Sequence, residues 1–257
     1  MQRAAYSAMF GAMSQEWRMR SISNNLANVN TTGYKKDQLA FKDTFIQFAH
    51  DQMMEPVMNL RSEKLFPEPL HMARPRVALS LTNFEQGSLK QTDSPLDVAL
   101  AGDGFLKIRT QQGDFLTRNG HFQMSADGTL VNERGEAVLG EGGEITLPSN
   151  GKVTINDSGQ IFSNGDLVDT LQVVTVGNLA ELEKLGHNLY RGRNGGPVQE
   201  VPSEATVNQG YLEASNINVV EEMVNMIETQ RQFEAYTKAI KSAQELDTKV
   251  TGFGTVK

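Results

Sequence analysis

The chain has 257 residues, a formal net charge of −7 and no cysteine. Such an acidic chain lacks the basic field needed to bind nucleic-acid phosphates, so we exclude nucleic acid as the main partner. The absence of cysteine excludes disulfides, thiolate catalysis and cysteine-based metal sites. The length allows one large domain or two modest ones, each with a hydrophobic core.

The sequence gives no sign of a membrane segment or of a cleaved leader. No apolar run is long enough to span a bilayer. The N-terminus lacks the positively charged region and the following apolar stretch that mark a secretory signal peptide. We therefore expect no membrane span and no cleaved signal peptide.

Residues 1 to 29 are predicted to form the first helix, because apolar residues recur there every seven positions. The helix should end between Asn28 and Gly33, since Asn, Thr and Gly lower helix propensity. Gln15 interrupts the second of the two apolar rows. The rows are Ala5, Ala12, Met19 and Leu26, and then Ala8, Ile22 and Val29.

The end of this helix contains Ser23, Asn24 and Asn25, which compete for backbone hydrogen bonds. They indicate either a frayed last turn or amides that form hydrogen bonds across a packed interface. Residues 34 to 48 are compatible with a strand, a short helix or a loop.

A connector is predicted over residues 34 to 76. Half of the eight prolines fall between residues 51 and 78, and Met53, Met54 and Met58 cluster at the start of this stretch. This composition indicates an extended segment that orders only against a neighbour. A long surface loop is the alternative, although long loops without structure are unusual unless they are functional.

Residues 77 to 210 show short alternating runs separated by turn residues, which predicts an antiparallel β domain. Gly102-Asp103-Gly104 resembles half of a dinucleotide-binding fingerprint. It lies between two strand-like runs, however, and a tight turn is therefore predicted. Asn178 is predicted to cap a short helix that ends at Leu185.

Residues 211 to 257 contain the second long helix, predicted from Asn218 to about Val250, with Ser215 or Asn216 near its cap. This run contains no Gly and no Pro. At about 1.5 Å per residue it is roughly 50 Å long, so it needs a partner helix. Its apolar row is Val219, Met226, Phe233 and Ile240.

These elements predict an α+β fold in which the N- and C-terminal helices pair as a coiled coil. A mostly antiparallel β domain is inserted between them. Two separate amphipathic helices packed on a globular core are the alternative. The predicted domains are the N-terminal helix, the connector, the β domain and the C-terminal helix, at 1–33, 34–76, 77–210 and 211–257.

No catalytic constellation is visible in the sequence. The four histidines are scattered, and no pair has the spacing of a metal site. The motifs of serine hydrolases, P-loop proteins and zinc proteases are absent. We therefore expect no catalytic residue, no cofactor and no metal site.

Three segments together resemble one family, the flagellar basal-body rod and hook proteins of bacteria. The first is residues 23–34, Ser-Asn-Asn-Leu-Ala-Asn-Val-Asn-Thr-Thr-Gly-Tyr. The second lies within residues 87–131 and includes Leu-Asp-Val-Ala-Leu, Gly-Asp-Gly-Phe and Asp-Gly-Thr-Leu-Val. The third lies within residues 209–234 and begins Gln-Gly-Tyr-Leu-Glu-Ala-Ser-Asn. Residues 46–78 and 150–205 match the family poorly.

The resemblance implies a structural rod subunit, located in the basal body, whose terminal helices pair to form an inner tube. It implies that the partners are other copies and homologous axial proteins, and that the flagellar type III apparatus exports the chain. The moderate length fits a rod protein better than a hook protein. The proximal-rod FlgF type is the first choice, and the distal-rod FlgG type follows closely.

The predicted subunit interface is the helical seam with its polar contacts. Polar groups at Asn24, Asn25, Asn28 and Gln230 would fix the register at some cost in stability; solvated amides are the alternative. Free monomers are expected to have frayed termini that polymerisation orders. The interface residues are Ala5, Ala12, Met19, Ile22, Asn24, Asn25, Leu26, Asn28, Val219, Met226, Gln230, Phe233 and Ile240.

A second hypothesis comes from another functional class. It is a soluble enzyme or carbohydrate-binding β domain with helical oligomerisation arms. A buried pair of acids with perturbed pKa values in a concave pocket would favour it. A convex, pocket-poor β domain with exposed apolar stripes on the terminal helices would favour the rod subunit.

Overall fold

The computed structural model describes residues 2–47, 71–148, 151–196 and 198–253. The chain divides into two compact units. The terminal unit comprises the described residues within 1–23, 38–80 and 223–257, and the central unit those within 24–37 and 81–222. Residues 48–70, which hold most of the predicted connector, lie outside the described residues.

Two long helices lie near the ends of the chain, α1 (Gln2–Ala27) and α2 (Val219–Phe253). The turn after α1 contains Gly33 at a φ of +66°, as the composition predicted. The side chain of Asn218 caps α2, since its oxygen accepts a hydrogen bond from the Val220 N–H at 3.1 Å. The nearby Asn216 accepts instead from the Lys36 N–H at 2.8 Å.

The two helices pair within the terminal unit, which confirms the pairing predicted from the seven-residue rows. Gly11 is buried, and a Cβ at this position would lie 2.5 Å from Cε1 of Tyr236. Ser14 is also buried, but its hydroxyl donates to the Phe10 carbonyl at 2.9 Å. Thr229 on α2 is satisfied in the same way by its own helix.

The close approach at Gly11 gives a first prediction. Alanine has a helix propensity about 1 kcal/mol better than glycine, so Gly11→Ala would stabilise an isolated helix. In this chain the added methyl group collides with the Tyr236 ring. We therefore expect Gly11→Ala to destabilise the helix pair by about 1–3 kcal/mol, measured by thermal unfolding followed by circular dichroism.

The double variant Gly11→Ala/Tyr236→Ala should recover part of this loss, because it removes the ring that the methyl group meets. Ser7→Ala, at an exposed position of the same helix, is the matched control. A Gly11→Ala protein more stable than the wild type would contradict the contact.

Two strands also belong largely to the terminal unit. β1 (Asp37–Gln47) and β2 (His71–Thr82) pair as a two-stranded sheet. Of the three alternatives for residues 34 to 48, the strand is observed over Asp37–Gln47 and a loop over residues 34–36, while residue 48 lies outside the described residues. Isolated two-stranded sheets are marginally stable in water, so this ribbon gains little stability from its own pairing.

The central unit contains seventeen strands within the described residues, and the paired strands run antiparallel. The strands are β3 (Leu89–Gln91), β4 (Val98–Ala101), β5 (Phe105–Thr110), β6 (Gly113–Thr117), β7 (Phe122–Met124), β8 (Leu130–Asn132), β9 (Ala137–Gly140), β10 (Gly143–Glu144), β11 (Val153–Ile155), β12 (Gln160–Ser163), β13 (Asp166–Thr170), β14 (Val173–Val176), β15 (Leu182–Gly186), β16 (Leu189–Gly192), β17 (Glu200–Pro202), β18 (Thr206–Gln209) and β19 (Tyr211–Glu213). The predicted antiparallel β region is thus confirmed.

The largest sheet has ten strands, and its main path is β15-β16-β6-β5-β9-β8-β7. β10 pairs with β9, while β14 pairs with β5 and β17. Smaller sheets are formed by β11-β12-β13, by β18-β4 and by β19-β3. Pairs β18-β4 and β19-β3 join the end of the β region to its beginning, so the segments before β3 and after β19 leave from neighbouring strands.

The core of the central unit is built from strand residues such as Leu106, Val138 and Ile161, which are almost completely buried. A second cluster surrounds Phe105 and Tyr190, against which Phe84 packs edge-on at centroid distances of 5.6 and 5.3 Å. This cluster lies next to the buried ionic cluster of Lys35, Arg118 and Glu213, which is described below.

Two local predictions can be compared with the structure. Gly102-Asp103-Gly104 forms the tight turn between β4 and β5, with Gly102 at a φ of +109°. Asn178 caps a 3₁₀ helix of only three residues, Leu179–Glu181. The predicted helix to Leu185 is wrong, because residues 182 to 186 pair with β16 as strand β15.

Among the described residues, no helix combines the length and the hydropathy that crossing a bilayer would require.

Candidate assembly site

The apolar seam residues of the terminal unit lie partly inside the structure. On α1, Ile22 is buried, and Ala12 and Met19 are half-buried. On α2, Met226, Phe233 and Ile240 are half-buried, whereas Gln230 is exposed and lies 3.5 Å from Glu234. The side chain of Ala5 lies outside the described residues. The role of these residues between subunits stays a prediction.

The remaining seam residues belong to the central unit. Asn25 is buried, and its side chain both donates to the Asp37 carbonyl and accepts from the Asp37 N–H, each at 3.0 Å. The exposed Asn24 accepts a hydrogen bond from the Tyr34 hydroxyl at 2.7 Å. The last turn of α1 is therefore tied to the loop that follows it. Leu26, Asn28 and Val219 are half-buried.

The loop after α1, residues 28–37, is held by the β15–β16 hairpin. The Lys184 ammonium lies 3.6 Å from the centre of the Tyr34 ring and donates to the Lys35 carbonyl at 2.9 Å. It also lies 3.2 Å from Asp37 Oδ2. On the same hairpin, Asn188 donates to the Thr32 carbonyl at 2.7 Å. These contacts fix the backbone of the loop on several sides.

A buried ionic cluster fixes the loop to the β19 strand. The Lys35 and Glu213 side chains are 0% and 1% exposed, and Lys35 Nζ lies 2.6 Å from Glu213 Oε1. The same oxygen accepts from the Gly87 N–H at 2.9 Å, and Glu213 Oε2 lies 3.5 Å from Arg118 Nη1. Burial lowers the pKa of Lys35, and the Glu213 carboxylate opposes that shift. Glu213 therefore compensates two buried cations.

The phenol of Tyr34 gives a prediction about pH. Burial and the charge of Asp37 raise its pKa, whereas an unfolded tyrosine ionises near pH 10. Stability from this group is therefore complete below about pH 10 and is lost as the pH rises further, because the unfolded chain then releases the proton.

We expect Tyr34→Phe to be less stable than the wild type by about 1 kcal/mol at neutral pH, since its hydrogen bonds are lost. This difference should shrink above about pH 10, because the variant has no such proton to release. Urea unfolding of both proteins at a series of pH values from 7 upward measures this stability difference. Tyr6→Phe, which removes an exposed phenol, is the control. A difference that stays constant with pH would contradict the prediction.

A polar groove of about 730 Å³ on the central unit is lined by two carboxylates, those of Glu136 and Glu144, but they do not form the acid pair that an enzyme would need. Its carboxylates pair with arginines instead. Glu144 lies 3.7 Å from Arg109, and Glu136 lies 3.6 Å from Arg134. The described part of the chain also contains no cluster of side chains suited to hold a metal ion. This groove carries no arrangement typical of catalysis.

Comparison with protein families gives three matches along the chain. Residues 6–35 match the family described as flagella basal body rod protein. Residues 99–163 match the flagellar hook protein FlgE/F/G D1 domain. Residues 208–252 match the flagellar basal body rod FlgEFG protein C-terminal domain.

Several curated relatives match almost end to end. The flagellar basal-body rod protein FlgG of Buchnera aphidicola is 34% identical over 94% of this chain and 95% of its own length. FlgG of Agrobacterium fabrum is 34% identical over 95% and 96%. In Caulobacter vibrioides, FlgF is 32% identical over 96% and 95%, and FlgG is 31% identical over 95% and 96%.

Proposed function

We propose that this chain, which belongs to the flagellar basal-body rod protein family, is a structural rod subunit that polymerises through its terminal helices. The observation that supports assembly most is the helix pair itself. α1 and α2 pair with each other, yet both keep large apolar side chains exposed on other faces. Exposed apolar stripes are typical of surfaces that a partner covers.

We propose that the pairing continues as a coiled coil in the assembled rod. The half-buried residues Met226, Phe233 and Ile240 follow the seven-residue spacing of such a seam. Asn24, Asn25, Asn28 and Gln230 are proposed to add polar contacts that set the register. A rod subunit of this kind transmits torque as part of the axial drive shaft and needs no catalytic site.

The position in the rod is proposed to be proximal, as in the FlgF type. The distal FlgG type is the second candidate, and the FlgG proteins of two bacteria are 34% identical to this chain. The two Caulobacter paralogues match this chain at 32% and 31%, so identity does not separate the types. We also propose export by the flagellar type III apparatus, without a cleaved signal peptide, into a rod that spans the periplasm.

Deletion of the gene from its own bacterium tests the proposal. We expect loss of swimming and of complete rods, both restored by the full-length wild-type chain. Normal rods in the deletion strain would contradict the function. Mass spectrometry of the truncated basal bodies from the deletion strain tests the position. If this chain is the proximal subunit, the FlgG-type relative should be missing from them. If it is the distal subunit, the FlgF-type relative should still be present.

A further inference from the structure

The polar groove of about 730 Å³ on the central unit lies where three turns of the largest sheet meet. It is lined by the β5–β6 turn (109–112), the β8–β9 turn (134–137) and the β15–β16 turn (185–187), whose strands are neighbours in that sheet. We call it the turn groove. A smaller pocket of about 370 Å³ shares Gln112 and Phe115 with it. The volume of the turn groove lies in the range of ligand sites, about 300–1,000 Å³.

The charges that line the turn groove compensate one another. Glu144 lies 3.7 Å from Arg109, and Glu136 lies 3.6 Å from Arg134. Both distances exceed the ordinary length of an N–H···O hydrogen bond, about 2.7–3.2 Å. The two ion pairs therefore leave donors and acceptors for hydrogen bonds to a ligand. With two arginines and two glutamates, the lining offers no net charge to an anion or to a cation.

Two of these polar side chains are held in place by their own turns. The Arg109 Nε donates to Asp114 at 3.0 Å, and Glu136 accepts from the Asn132 side chain at 2.7 Å. The Asn132 side chain also accepts from the Glu136 N–H at 3.0 Å, which fixes the β8–β9 turn. Side chains ordered in advance lose less conformational entropy when a ligand binds.

His187 lines the turn groove in a strained backbone conformation. His187 and Asn188 are the central residues of the β15–β16 turn, at φ of +51° and +60°. Asn188 is buried and donates to the Thr32 carbonyl, which explains its position. His187 is exposed, and within the described part of the chain its side chain makes no hydrogen bond or ion pair. Such strained residues cluster at functional sites, so the imidazole is available to a ligand.

The turn groove combines an apolar floor with uncharged polar groups. Phe115 and Leu189 belong to a small buried hydrophobic cluster, and Leu185 adds an apolar side chain that is 40% exposed. Gln111 and Gln112 are exposed, and each contributes a carboxamide that both donates and accepts hydrogen bonds. The lining therefore suits a ligand that is rich in hydrogen-bonding groups and has an apolar face.

We propose that the turn groove binds a neutral oligosaccharide. Planar guanidinium, carboxylate and carboxamide groups match the adjacent hydroxyls of a sugar ring, which donate and accept hydrogen bonds. The apolar floor matches the C–H face of the ring, and the balanced charges do not favour a phosphate or a charged peptide. Because the smaller pocket adjoins the groove, a chain of sugar rings can extend past the β5–β6 turn. This inference does not depend on the proposed rod function.

Saturation-transfer NMR titration of the full-length protein tests the proposal, with chitotetraose and cellotetraose as the probes. The first groove variant, Arg134→Ala/Glu144→Ala, removes one cation and one anion from the lining. The second, His187→Asn, removes the imidazole but keeps a residue that tolerates the left-handed turn. The matched control is Lys152→Ala/Asp166→Ala, which removes the same charges at exposed positions outside the groove. Circular dichroism establishes that all variants fold like the wild type.

We expect at least one probe to bind the wild type with a Kd of about 1 mM or lower. Its affinity should fall about tenfold in Arg134→Ala/Glu144→Ala, because hydrogen bonds are lost, and should stay within about twofold in the control. Since the charges of the lining are balanced, the affinity should change less than about twofold between 50 and 500 mM salt.

Three results overturn the inference. The first is that neither probe binds at concentrations up to about 10 mM, since a Kd of about 1 mM would then be excluded. The second is that both groove variants bind as tightly as the control. The third is that inorganic phosphate or a tetra-alanine peptide binds more tightly than either oligosaccharide.

Discussion

Replacing Glu213 by glutamine is expected to lower the free energy of unfolding of the central unit by about 3–5 kcal/mol, because it leaves buried cations without their counter-charge. Lys35 and Arg118 both lie against this carboxylate, and the side chains of all three residues are nearly inaccessible to solvent. Glutamine has nearly the same shape, so the loss measures the charge rather than a cavity. Hydrogen exchange of the β5 and β6 amides reports this free energy.

A matched control comes from a more exposed ion pair of the same unit. Lys107 and Glu200 lie 2.9 Å apart, and the Glu200 side chain is 33% exposed. Glu200→Gln should therefore cost only about 0–1 kcal/mol. The double variant Lys35→Met/Glu213→Gln should recover part of the Glu213→Gln loss, because one of the two buried cations is gone. Equal losses for Glu213→Gln and Glu200→Gln would contradict the buried cluster.

Gly33→Ala is expected to be comparably severe, at about 3–5 kcal/mol, because two costs add. Gly33 has a φ of +66°, in the left-handed region that residues with a Cβ rarely adopt. A Cβ there would also lie 2.5 Å from the Arg118 carbonyl carbon, which is backbone and cannot move aside. The Gly33 N–H donates to the Glu213 carbonyl at 2.7 Å, so a displaced loop would lose this bond as well.

Gly135→Ala separates the two costs. Gly135 has a φ of +79°, but a Cβ there would meet no atom within 4 Å. It should lose only about 1–2 kcal/mol, the cost of the left-handed conformation alone. Thermal unfolding of both variants gives the comparison. If Gly33→Ala were no worse than Gly135→Ala, the loop would not be packed against the Arg118 backbone.

The sequence predicts the helices well because their signal is local. Seven-residue rows predict both helices, but of the row residues that the structure describes only Ile22 is buried and Met226 is half-buried, whereas the buried Gly11 and Thr229 lie outside the rows. Periodicity does not reveal a second face that stays uncovered. Met13 and Trp17 are spaced like any other helical residues, and only their exposure in the folded chain separates them from Met19.

The buried ionic cluster could not be predicted in the same way, because its residues are far apart in the chain. Lys35 and Glu213 are separated by 178 positions, and a long-range pair leaves no periodic pattern. Lys35 and Lys36 are adjacent and chemically identical, yet only Lys35 is completely buried. The amides at Asn24 and Asn25 left a frayed turn or a packed interface open; in the structure they form hydrogen bonds with Tyr34 and Asp37 of the same chain, and a contact between subunits stays a prediction. The sequence alone could not name Asp37 as the partner of Asn25.

The short helix predicted after Asn178 failed for a related reason. The cap signal was correct, since Asn178 does accept a hydrogen bond from the Ala180 N–H at 3.1 Å. The residues after Glu181 pair with β16 instead, and this pairing outweighs their local helix propensity. Cap chemistry thus predicts where a helix begins, whereas strand pairing decided where this one ends.

Electron cryomicroscopy of basal bodies isolated from the native bacterium tests the central claim most directly. The account predicts that this chain is found in the rod, with α1 and α2 of each copy paired in the inner layer and their exposed apolar faces covered by neighbouring subunits. A rod that contains no copy of this chain would contradict the account, and so would a rod in which both terminal helices face solvent.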